Sequence, residues 1–441
     1  MENLSLSETI RRLDDESPDY IGISCLAVEY SRHAHALTRE IKKHFPDIAT
    51  ILGGVYCTLM PEFAMEDQFL DYCVLGEGEI VLKSLLKELE NSRFPENLDG
   101  LAYRKEGKVF IRPQKTFITD LDVLPLPDYN KVDFLKYCWI KEPFNVTEVR
   151  DALPVARVYT SRGCPAGCNF CAVEAIAGKD FRSRSVKNVL DEIEFLIERY
   201  GIKEIIFYDD NLLFNKKRAK ALFGGIIDRQ FNIKFKSPNV AAYNLDNETL
   251  DLMRQAGCTA LIIAVESANN RVLQKIIGKP LKIERIKPIV DYAKTLGFRL
   301  GALFVIGNPS ETWEEIRNTL LFAEELEVYC HFSIATPLPK TRLYQSAYED
   351  KLLTSDFNFY SGSGCSRGWM VTDQFTPFDL ETLRVYEWDR INFGTPERRM
   401  RTARFFKVPE SEVIQFSRNA RVALQERYVK EEEKRLSTFP A

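Results

Sequence analysis

The sequence predicts an α/β protein: a partial (β/α)6 barrel, preceded by a small, incomplete Rossmann-like parallel α/β domain and followed by a mainly helical C-terminal region. Short apolar runs alternate with segments of helical periodicity, first over residues 20–89 and again over residues 155–343. Strands that alternate with helices favour parallel sheets. After residue 346 the strand pattern weakens, and helical segments are predicted at 379–393 and 410–432.

The elements of the first segment, residues 1–115, follow in order. Strands are predicted at 20–26, 49–52 and 71–75, helices at 31–44 and 80–89, and a hairpin at 98–114. Glu106-Gly107 supplies the turn of that hairpin. Residues 116–150 are predicted to be a linker, because this stretch contains prolines and lacks a clear strand–helix alternation.

The core barrel is predicted over residues 151–345. Its six strands are expected at 155–161, 204–209, 233–237, 260–266, 299–306 and 331–336. Ser185 is the expected N-cap of the helix that follows the first of these strands. In such barrels the active site lies at the C-terminal ends of the strands, so residues that follow strands are the candidates for chemistry. Residues 346–441 form the helical region.

Composition excludes several classes of protein. The net charge of −4 gives no electrostatic reason to expect a nucleic-acid partner. No apolar run reaches the roughly 20 residues of a membrane span. The first 15 residues are polar and acidic, which predicts neither a signal nor a transit peptide. Ten cysteines in such a chain indicate a reducing compartment, and we expect a cytoplasmic protein.

Three cysteines in eight residues are the strongest chemical signal. Cys164, Cys168 and Cys171 have the spacing Cys-x-x-x-Cys-x-x-Cys directly after the first barrel strand. Thiolates are the ligands of iron–sulfur clusters, and three thiolates on four irons leave one iron open for a cofactor or substrate. A structural zinc ion is the alternative, but it would need a fourth ligand, which Cys138 or Cys258 could supply only if the fold brought one close.

Polar residues follow three other barrel strands. Asp209-Asp210 ends the second strand, Glu266-Ser267 the fourth, and Gly307 begins the turn 307–312 after the fifth. Carboxylates at these ends could bind an ammonium group or hydroxyls. For Asp210 a helix N-cap explains the residue without a ligand. Gly307 could let the backbone approach a planar ring, and Pro309 fixes the turn.

The cysteine run Arg162-Gly163-Cys164-Pro165-Ala166-Gly167-Cys168-Asn169-Phe170-Cys171 resembles the signature of the radical S-adenosylmethionine (SAM) enzymes. The resemblance implies a [4Fe-4S] cluster held by the three cysteines, with SAM bound at the open iron and cleaved reductively. It also implies SAM contacts by Phe170, by Asp209 or Asp210, by Glu266-Ser267, and by Gly307 and Pro309. Phe170 could instead shield the cluster from water. The resemblance covers residues 155–345 most firmly, and it assigns no catalytic side chain.

Two phrases in the first segment resemble the cobalamin-binding-type domain that precedes many radical SAM cores. They are Gly53-Gly54 with its following residues, and Gly76-Glu77-Gly78-Glu79. That domain normally begins two strand–helix units earlier and often carries the motif Asp-x-His-x-x-Gly, which this sequence lacks. We therefore predict a shortened domain over residues 1–115, and cobalamin binding that is weak or absent.

The resemblance implies an enzyme that abstracts a substrate hydrogen, with methylation of an unactivated carbon as the leading reaction. The alternative enzyme is a cobalamin-independent radical catalyst of carbon–carbon coupling, cyclisation or oxidation. The alternative outside enzymes is an iron–sulfur electron-transfer or sensor protein, against which Glu266 and the turn 307–312 argue. The expected partners are a small-molecule or peptide substrate and a reductase, flavodoxin or ferredoxin as electron donor.

Overall fold

The computed structural model describes residues 4–139, 144–146, 149, 151–360 and 365–437. Its strands are β1 (Tyr20–Ser24), β2 (Ala49–Gly53), β3 (Tyr72–Val74), β4 (Leu101–Lys105), β5 (Lys108–Arg112), β6 (Val155–Val158), β7 (Ser161–Arg162), β8 (Arg182–Ser183), β9 (Glu204–Phe207), β10 (Lys234–Lys236), β11 (Val240–Ala241), β12 (Ala260–Glu266), β13 (Arg299–Ile306) and β14 (Tyr329–Ile334).

The helices are α1 (Leu6–Glu16), α2 (Ser31–His44), α3 (Val55–Leu59), α4 (Pro61–Glu66), α5 (Gly78–Glu90), α6 (Phe134–Cys138), α7 (Val173–Ala177), α8 (Val186–Tyr200), α9 (Lys216–Asp228), α10 (Asn247–Gln255), α11 (Ile286–Thr295), α12 (Trp313–Glu325), α13 (Arg342–Glu349), α14 (Pro377–Phe393), α15 (Pro396–Phe406) and α16 (Glu410–Ser437). Val272–Ile277 forms a π-helical turn. Predicted segments that fall on 140–143, 147–148, 150, 361–364 and 438–441 lie outside the described residues.

The N-terminal sheet has the order β1-β2-β3-β4-β5. Its first three strands are parallel, and β4 and β5 add an antiparallel hairpin at the β3 edge. Glu106 and Gly107 have φ angles of 50° and 74°, as a tight hairpin turn requires. The predicted parallel α/β arrangement is therefore confirmed, and the hairpin belongs to the same sheet.

The six predicted barrel strands are present and parallel. They are β6, β9, β10, β12, β13 and β14. Together with the short, unpredicted β11 they form the sheets β10-β9-β6 and β11-β12-β13-β14, which a parallel bridge between Phe235 and Cys258 joins. The first helix of the barrel, α8, begins at its predicted N-cap, where the Ser185 side chain accepts a hydrogen bond from the Asn188 amide. The partial (β/α)6 architecture is thus confirmed.

The wall of the barrel has a helix-facing side and a lumen side. Alternate strand residues such as Phe235, Ile263 and Phe332 are fully buried in the main core with the helices. Residues between them face the lumen, since successive side chains of a strand point to opposite faces. At the N-terminal end of the barrel the lumen contains a buried ion pair, in which Lys236 Nζ lies 2.5 Å from Glu204 Oε1.

An apolar cluster fills the adjacent part of the barrel. The linker, two barrel strands and the C-terminal region all contribute to it, through Val146, Val149, Ile262, Tyr329, Phe405 and Phe406. A Cβ on Gly301 would lie 2.9 Å from Phe405, so the absence of a side chain on β13 lets α15 pack closely. The C-terminal helices are therefore part of the barrel's packing.

The open edge of the barrel is covered by α14. Among the described residues, no strand pairs with β14 on its outer side. The Asn392 side chain donates to Cys330 O at 2.8 Å and accepts from Cys330 N at 2.9 Å. Further along, the Ile334 amide donates to Cys365 O at 2.6 Å. These contacts satisfy backbone groups that an edge strand otherwise leaves exposed. None of the helices within the described ranges has both the length and the apolar surface needed to cross a bilayer.

We expect Asn392→Ala to lower the thermal unfolding midpoint. The substitution leaves the buried Cys330 amide and carbonyl without partners, at a cost of about 2–4 kcal/mol in unfolding free energy. The matched control is Asn419→Ala on α16, because the Asn419 side chain makes an exposed bond to Gln415. Calorimetry of the three proteins checks this, and equal midpoints would show that the edge contacts do not stabilise the barrel.

Candidate functional site

The cysteine loop lies at the C-terminal end of the barrel and is attached to it on two sides. The Asn169 amide donates to Ile277 O at 2.8 Å, in the π-helical turn after β12. The Asn169 carbonyl accepts from the Leu343 amide at 2.9 Å, and the Arg342 guanidinium donates to Gly167 O. Backbone hydrogen bonds thus hold the loop between the segments that follow the fourth and sixth strands.

The three thiols are partly buried and close to one another. Burial is the main cause that raises the pKa of Cys168 to about 12 and that of Cys171 to about 11, and the neighbouring thiols contribute to both shifts. Asn211 Nδ2 lies 3.6 Å from Cys164 Sγ and 2.7 Å from the Tyr243 hydroxyl. All three cysteines are free.

This donor set fits an iron–sulfur cluster. Three thiols share one loop, and Gly163 and Gly167 have φ angles of 80° and 64°. A Cβ on Gly163 would lie 2.3 Å from Asp180 O, so only glycine permits this path of the loop. In the described ranges no three Cys, His, Asp or Glu side chains converge on a single metal position. The ligands of a cluster bind different irons and need not converge on one point.

Glu266 is held at the end of β12 in an unusual backbone conformation. Its φ is 70°, next to a shift in the pairing register of β12 with β13. A non-glycine residue in this region costs roughly 1 kcal/mol, and such strain occurs most often at functional sites. The carboxylate is buried and accepts from Lys279 Nζ at 2.7 Å. It is also near the cysteines, since it raises the pKa of both Cys168 and Cys171.

The two aspartates after β9 have different surroundings. Asp209 is buried and accepts hydrogen bonds from the Thr160 amide and hydroxyl and from the Ser161 hydroxyl. These contacts join the ends of the first two barrel strands and explain Asp209 without a ligand. Asp210 is exposed, and it accepts from the Gly163 amide at 3.2 Å. Asp210 therefore borders the cysteine loop directly.

The turn after β13 is stabilised from within the protein. Glu311 is buried and accepts from the Gly307 and Asn308 amides at 2.9 and 3.0 Å. Burial raises its pKa to about 7. Gly307 has a φ of 81°, but a Cβ there would lie 2.4 Å from Leu380 Cδ1. We expected a planar ring to approach Gly307 closely, but Leu380 of α14 occupies that position instead. Pro309 is half-buried in this turn.

The remaining predicted residues differ in their positions. Phe170 packs against a cluster that includes Val305 and Ala335, at the C-terminal ends of the fifth and sixth strands. The Ser267 hydroxyl is fully buried against the Thr319 hydroxyl of α12, at 3.2 Å. The structure thus brings together the three cysteines, Asp210 and Glu266 and places Phe170 beside their loop. Asp209, Ser267 and Gly307 are instead occupied by contacts within the protein.

Three residues of the site were not predicted from the sequence. They are Lys279, Tyr243 and Asn211, the last as a neighbour of Cys164. Only Asn211 carried a sequence signal, because it follows the aspartates at a strand end. Arg184, which follows the cysteine loop, pairs through its guanidinium with buried Glu192 at 2.5 Å.

The N-terminal sheet contacts the barrel through the second glycine-rich phrase. The Glu77 carboxylate, 5% exposed, lies 2.7 Å from Arg182 and 3.2 Å from Arg162, and it accepts from the Ile118 amide. Lys340, which follows the sixth barrel strand, donates to Thr58 O at 2.9 Å. Glu77 and Lys340 therefore join the two α/β units next to the cysteine loop.

Two protein-family models match the chain. The model described as the radical SAM superfamily matches residues 158–323, and the model described as the B12 binding domain matches residues 2–86. The second match speaks against the prediction that cobalamin binding is weak or absent, because residues 1–115 carry enough of that domain to be recognised.

Curated relatives cover most of the chain. An uncharacterized methyltransferase from Pyrococcus horikoshii is 33% identical over 355 residues, covering 80% of this chain and 74% of the relative. Cytidylyl-2-hydroxyethylphosphonate methyltransferase from Streptomyces wedmorensis is 29% identical and covers 81% of this chain and 72% of its own length. Anaerobic magnesium-protoporphyrin IX monomethyl ester cyclase from Rubrivivax gelatinosus is 29% identical, with coverages of 81% and 63%.

A solved structure with the same overall fold agrees. The radical SAM methyltransferase TsrM from Kitasatospora setae, solved with cobalamin and a [4Fe-4S] cluster, aligns with a TM-score of 0.68 at 18% identity, covering 94% of this chain and 91% of TsrM. At this identity the likeness concerns the fold alone. The family matches and the Pyrococcus relative agree with the cysteine loop at the barrel mouth. The chain belongs to the radical SAM superfamily, and it is a radical SAM enzyme of the subfamily that carries a B12-binding domain.

Proposed function

We propose that this enzyme methylates an unactivated carbon of its substrate and uses both SAM and cobalamin. The observation that carries the proposal is the contact between the two cofactor-binding units. Helix α7 follows the cysteine loop. Together with its N-cap residue Ala172, it packs through Ala175 and Ile176 into the core of the N-terminal sheet. Relatives described as methyltransferases, matched over four-fifths of the chain, support the reaction type.

The proposed roles of the site residues follow from their positions. Cys164, Cys168 and Cys171 hold a [4Fe-4S] cluster, which supplies the electron for cleavage of bound SAM. Asp210 and Glu266 are the carboxylates that border the loop, and they are the proposed hydrogen-bond acceptors for SAM. Phe170 shields the cluster or contacts adenine. The other predicted residues position the backbone around the site and act on it in that way. They are Asp209, Ser267, Gly307 and Pro309.

The residues at the C-terminal edge of the N-terminal sheet fit a cobalamin site. Leu26, directly after β1, is 70% exposed, and nothing lies within 4 Å of a Cβ built on Gly53. Tyr30, which follows Leu26 in the chain, is also exposed. Ligands of parallel α/β sheets bind at this edge. Cobalamin bound there would carry the methyl group, while these side chains provide apolar contact.

Several predictions from the sequence complete the proposal. The segments 1–115, 116–150, 151–345 and 346–441 are the proposed cobalamin-type domain, linker, core barrel and helical region. The substrate is a small molecule or peptide. A reductase, flavodoxin or ferredoxin donates the electron, and the protein works in the cytoplasm, where cysteines remain reduced.

A cobalamin-independent cyclisation or oxidation is the second candidate. The cyclisation, though not the independence from cobalamin, is supported by the relative named as an anaerobic cyclase from Rubrivivax gelatinosus, which is 29% identical over 81% of this chain. Products distinguish the two reactions. Methyl donation by SAM leaves S-adenosylhomocysteine, whereas reductive cleavage alone leaves methionine and 5′-deoxyadenosine. We expect the anaerobically reconstituted enzyme to form both adenosyl products during turnover. Formation of 5′-deoxyadenosine alone would assign the enzyme to the second candidate.

The cobalamin site can be tested by titration with hydroxocobalamin. We expect the desalted wild-type protein to retain one equivalent, measured by absorbance. Leu26→Glu places a charge on the proposed apolar contact surface and should weaken retention about tenfold. Val123→Glu is the matched control, because Val123 is a similarly exposed apolar residue of the linker segment. No retention by the wild type would exclude the cobalamin-dependent reaction.

Replacement of Cys164, Cys168 and Cys171 together by Ala should abolish iron binding, since the three thiols are the proposed cluster ligands. The reconstituted wild type is expected to contain about four irons per chain. A double variant, Cys258→Ala with Cys330→Ala, serves as the control because both thiols are fully buried in the core. Iron and sulfide analysis checks the result. Stoichiometric zinc without iron in the wild type would refute the assignment.

Glu266→Gln should lower the rate of 5′-deoxyadenosine formation at least about tenfold and leave the iron content unchanged, because it removes a charged hydrogen-bond acceptor at the barrel mouth. Glu204→Gln is the matched control, since it breaks a buried Glu–Lys pair at the opposite end of the barrel. Rates are compared per folded protein. Equal rates for Glu266→Gln and the wild type would remove Glu266 from the proposed SAM site.

A further inference from the structure

Arg384 is a half-buried arginine at the edge of the barrel, and the described side chains give it no carboxylate partner. It lies on α14, and its Nη1 is 3.4 Å from Phe332 O on β14. Its Nε is buried and has no hydrogen-bond partner among the described residues. The ion pairs found among the described side chains do not include Arg384. A buried guanidinium normally requires an anion and several acceptors, so its partner set is incomplete.

The described carboxylate whose charge acts on Arg384 is already paired. Glu381, one turn earlier on α14, lies 2.5 Å from Arg427 and also accepts from the Tyr428 hydroxyl and the Gly368 amide. Arg384 is therefore a second cation beside a single carboxylate. Burial is the main cause that lowers its pKa, and the repulsion from Arg427 adds to the shift. Among the described side chains, this corner of the molecule therefore has two cations, Arg384 and Arg427, beside one carboxylate.

A second polar group without a hydrogen-bond partner faces the lumen next to Arg384. On β14 the residues Cys330, Phe332 and Ile334 pack into the helix-facing core, so His331 and Ser333 point to the lumen. No hydrogen bond to the His331 imidazole is found in the described part of the chain. Burial and the Arg384 charge lower its pKa to about 4. The imidazole is therefore neutral and offers one donor and one acceptor.

The polar strip continues to the barrel mouth. The Ser333 and Thr336 hydroxyls hydrogen-bond the Cys365 thiol, which in turn interacts with the Arg384 charge. Ala335, the next residue on the lumen side of this segment, packs in the cluster that contains Phe170 of the cysteine loop. A ligand held by Arg384 and His331 would therefore extend towards the proposed SAM site.

Hydrogen bonding to the edge of β14 does not explain why this position of α14 is an arginine. Asn392 already satisfies both backbone groups of Cys330 on that edge. Arg384 contributes one long bond from a side chain that has five donors. A neutral side chain could cover Phe332 O without bringing a charge into the protein. The arginine is thus better explained by an anion that arrives with a ligand.

We propose that Arg384 and His331 bind an anionic group of the substrate, a carboxylate or a phosphoryl group, on the lumen side of the barrel edge that α14 covers. This inference rests on the proposed function, because it names the substrate class of that same site. A guanidinium recognises both groups through paired, charge-assisted hydrogen bonds. The neutral imidazole adds a single donor.

Inorganic phosphate is the probe, titrated by calorimetry into the full-length protein without SAM. We expect saturable binding, weakened at least about tenfold by Arg384→Gln and less by Arg384→Lys, because charged hydrogen bonds are lost. Arg390→Gln is the matched control on the same helix, since Arg390 is already paired with Glu324 and Glu387. Titration with acetate distinguishes a carboxylate preference from a phosphoryl preference.

Equal phosphate affinity for the wild type and Arg384→Gln, or no saturable binding by the wild type, would overturn the proposal. If Arg384→Gln does not fold, the decision rests on Arg384→Lys and His331→Ala, and unchanged affinity in both would overturn it equally. The proposed function fails separately, through the absence of 5′-deoxyadenosine or S-adenosylhomocysteine from the wild-type enzyme. Phosphate affinity does not depend on either product.

Discussion

The structure depends on how a parallel barrel that does not close satisfies the backbone hydrogen-bonding groups of its last strand. A closed barrel has no free edge, whereas six strands leave backbone donors and acceptors on β14 without a strand partner. Helix α14 supplies the missing partner through Asn392. The same helix places Leu380 against Gly307 and Arg384 beside the lumen. Covering the edge with a helix rather than with two more strands therefore also brings side chains of α14 next to the lumen.

The carboxylate of Glu77 connects the two α/β units. It is nearly inaccessible and is matched by two arginines, Arg162 and Arg182, which flank the cysteine loop. Removing one partner of such a buried set is costly, because a charge remains without compensation. The phrase Gly76-Glu77-Gly78 thus has a packing role in addition to any role towards a ligand. The position of one cofactor unit relative to the other is fixed by charge pairing as well as by apolar contact.

Elements with a local signature could be predicted from the sequence. The fourth and fifth barrel strands, 260–266 and 299–306, have their predicted bounds because apolar runs end there at polar residues. The partners of those polar residues could not be predicted. Asp209 bonds Thr160, 49 residues away, and Arg384 lies by Phe332 only because α14 returns to the barrel. Such pairings depend on tertiary geometry, which periodicity does not encode.

The attachment of the cysteine loop has a consequence for how the three thiols are positioned. Asn169 and Gly167 are bonded to the rest of the barrel through Ile277, Leu343 and Arg342, and none of these bonds involves a thiol. In small zinc domains the metal supplies the folding energy, so the chain is unfolded until it is loaded. Here hydrogen bonds that involve no thiol also position the loop. The path of the loop is therefore set by the barrel around it as well as by any group that the three thiols hold.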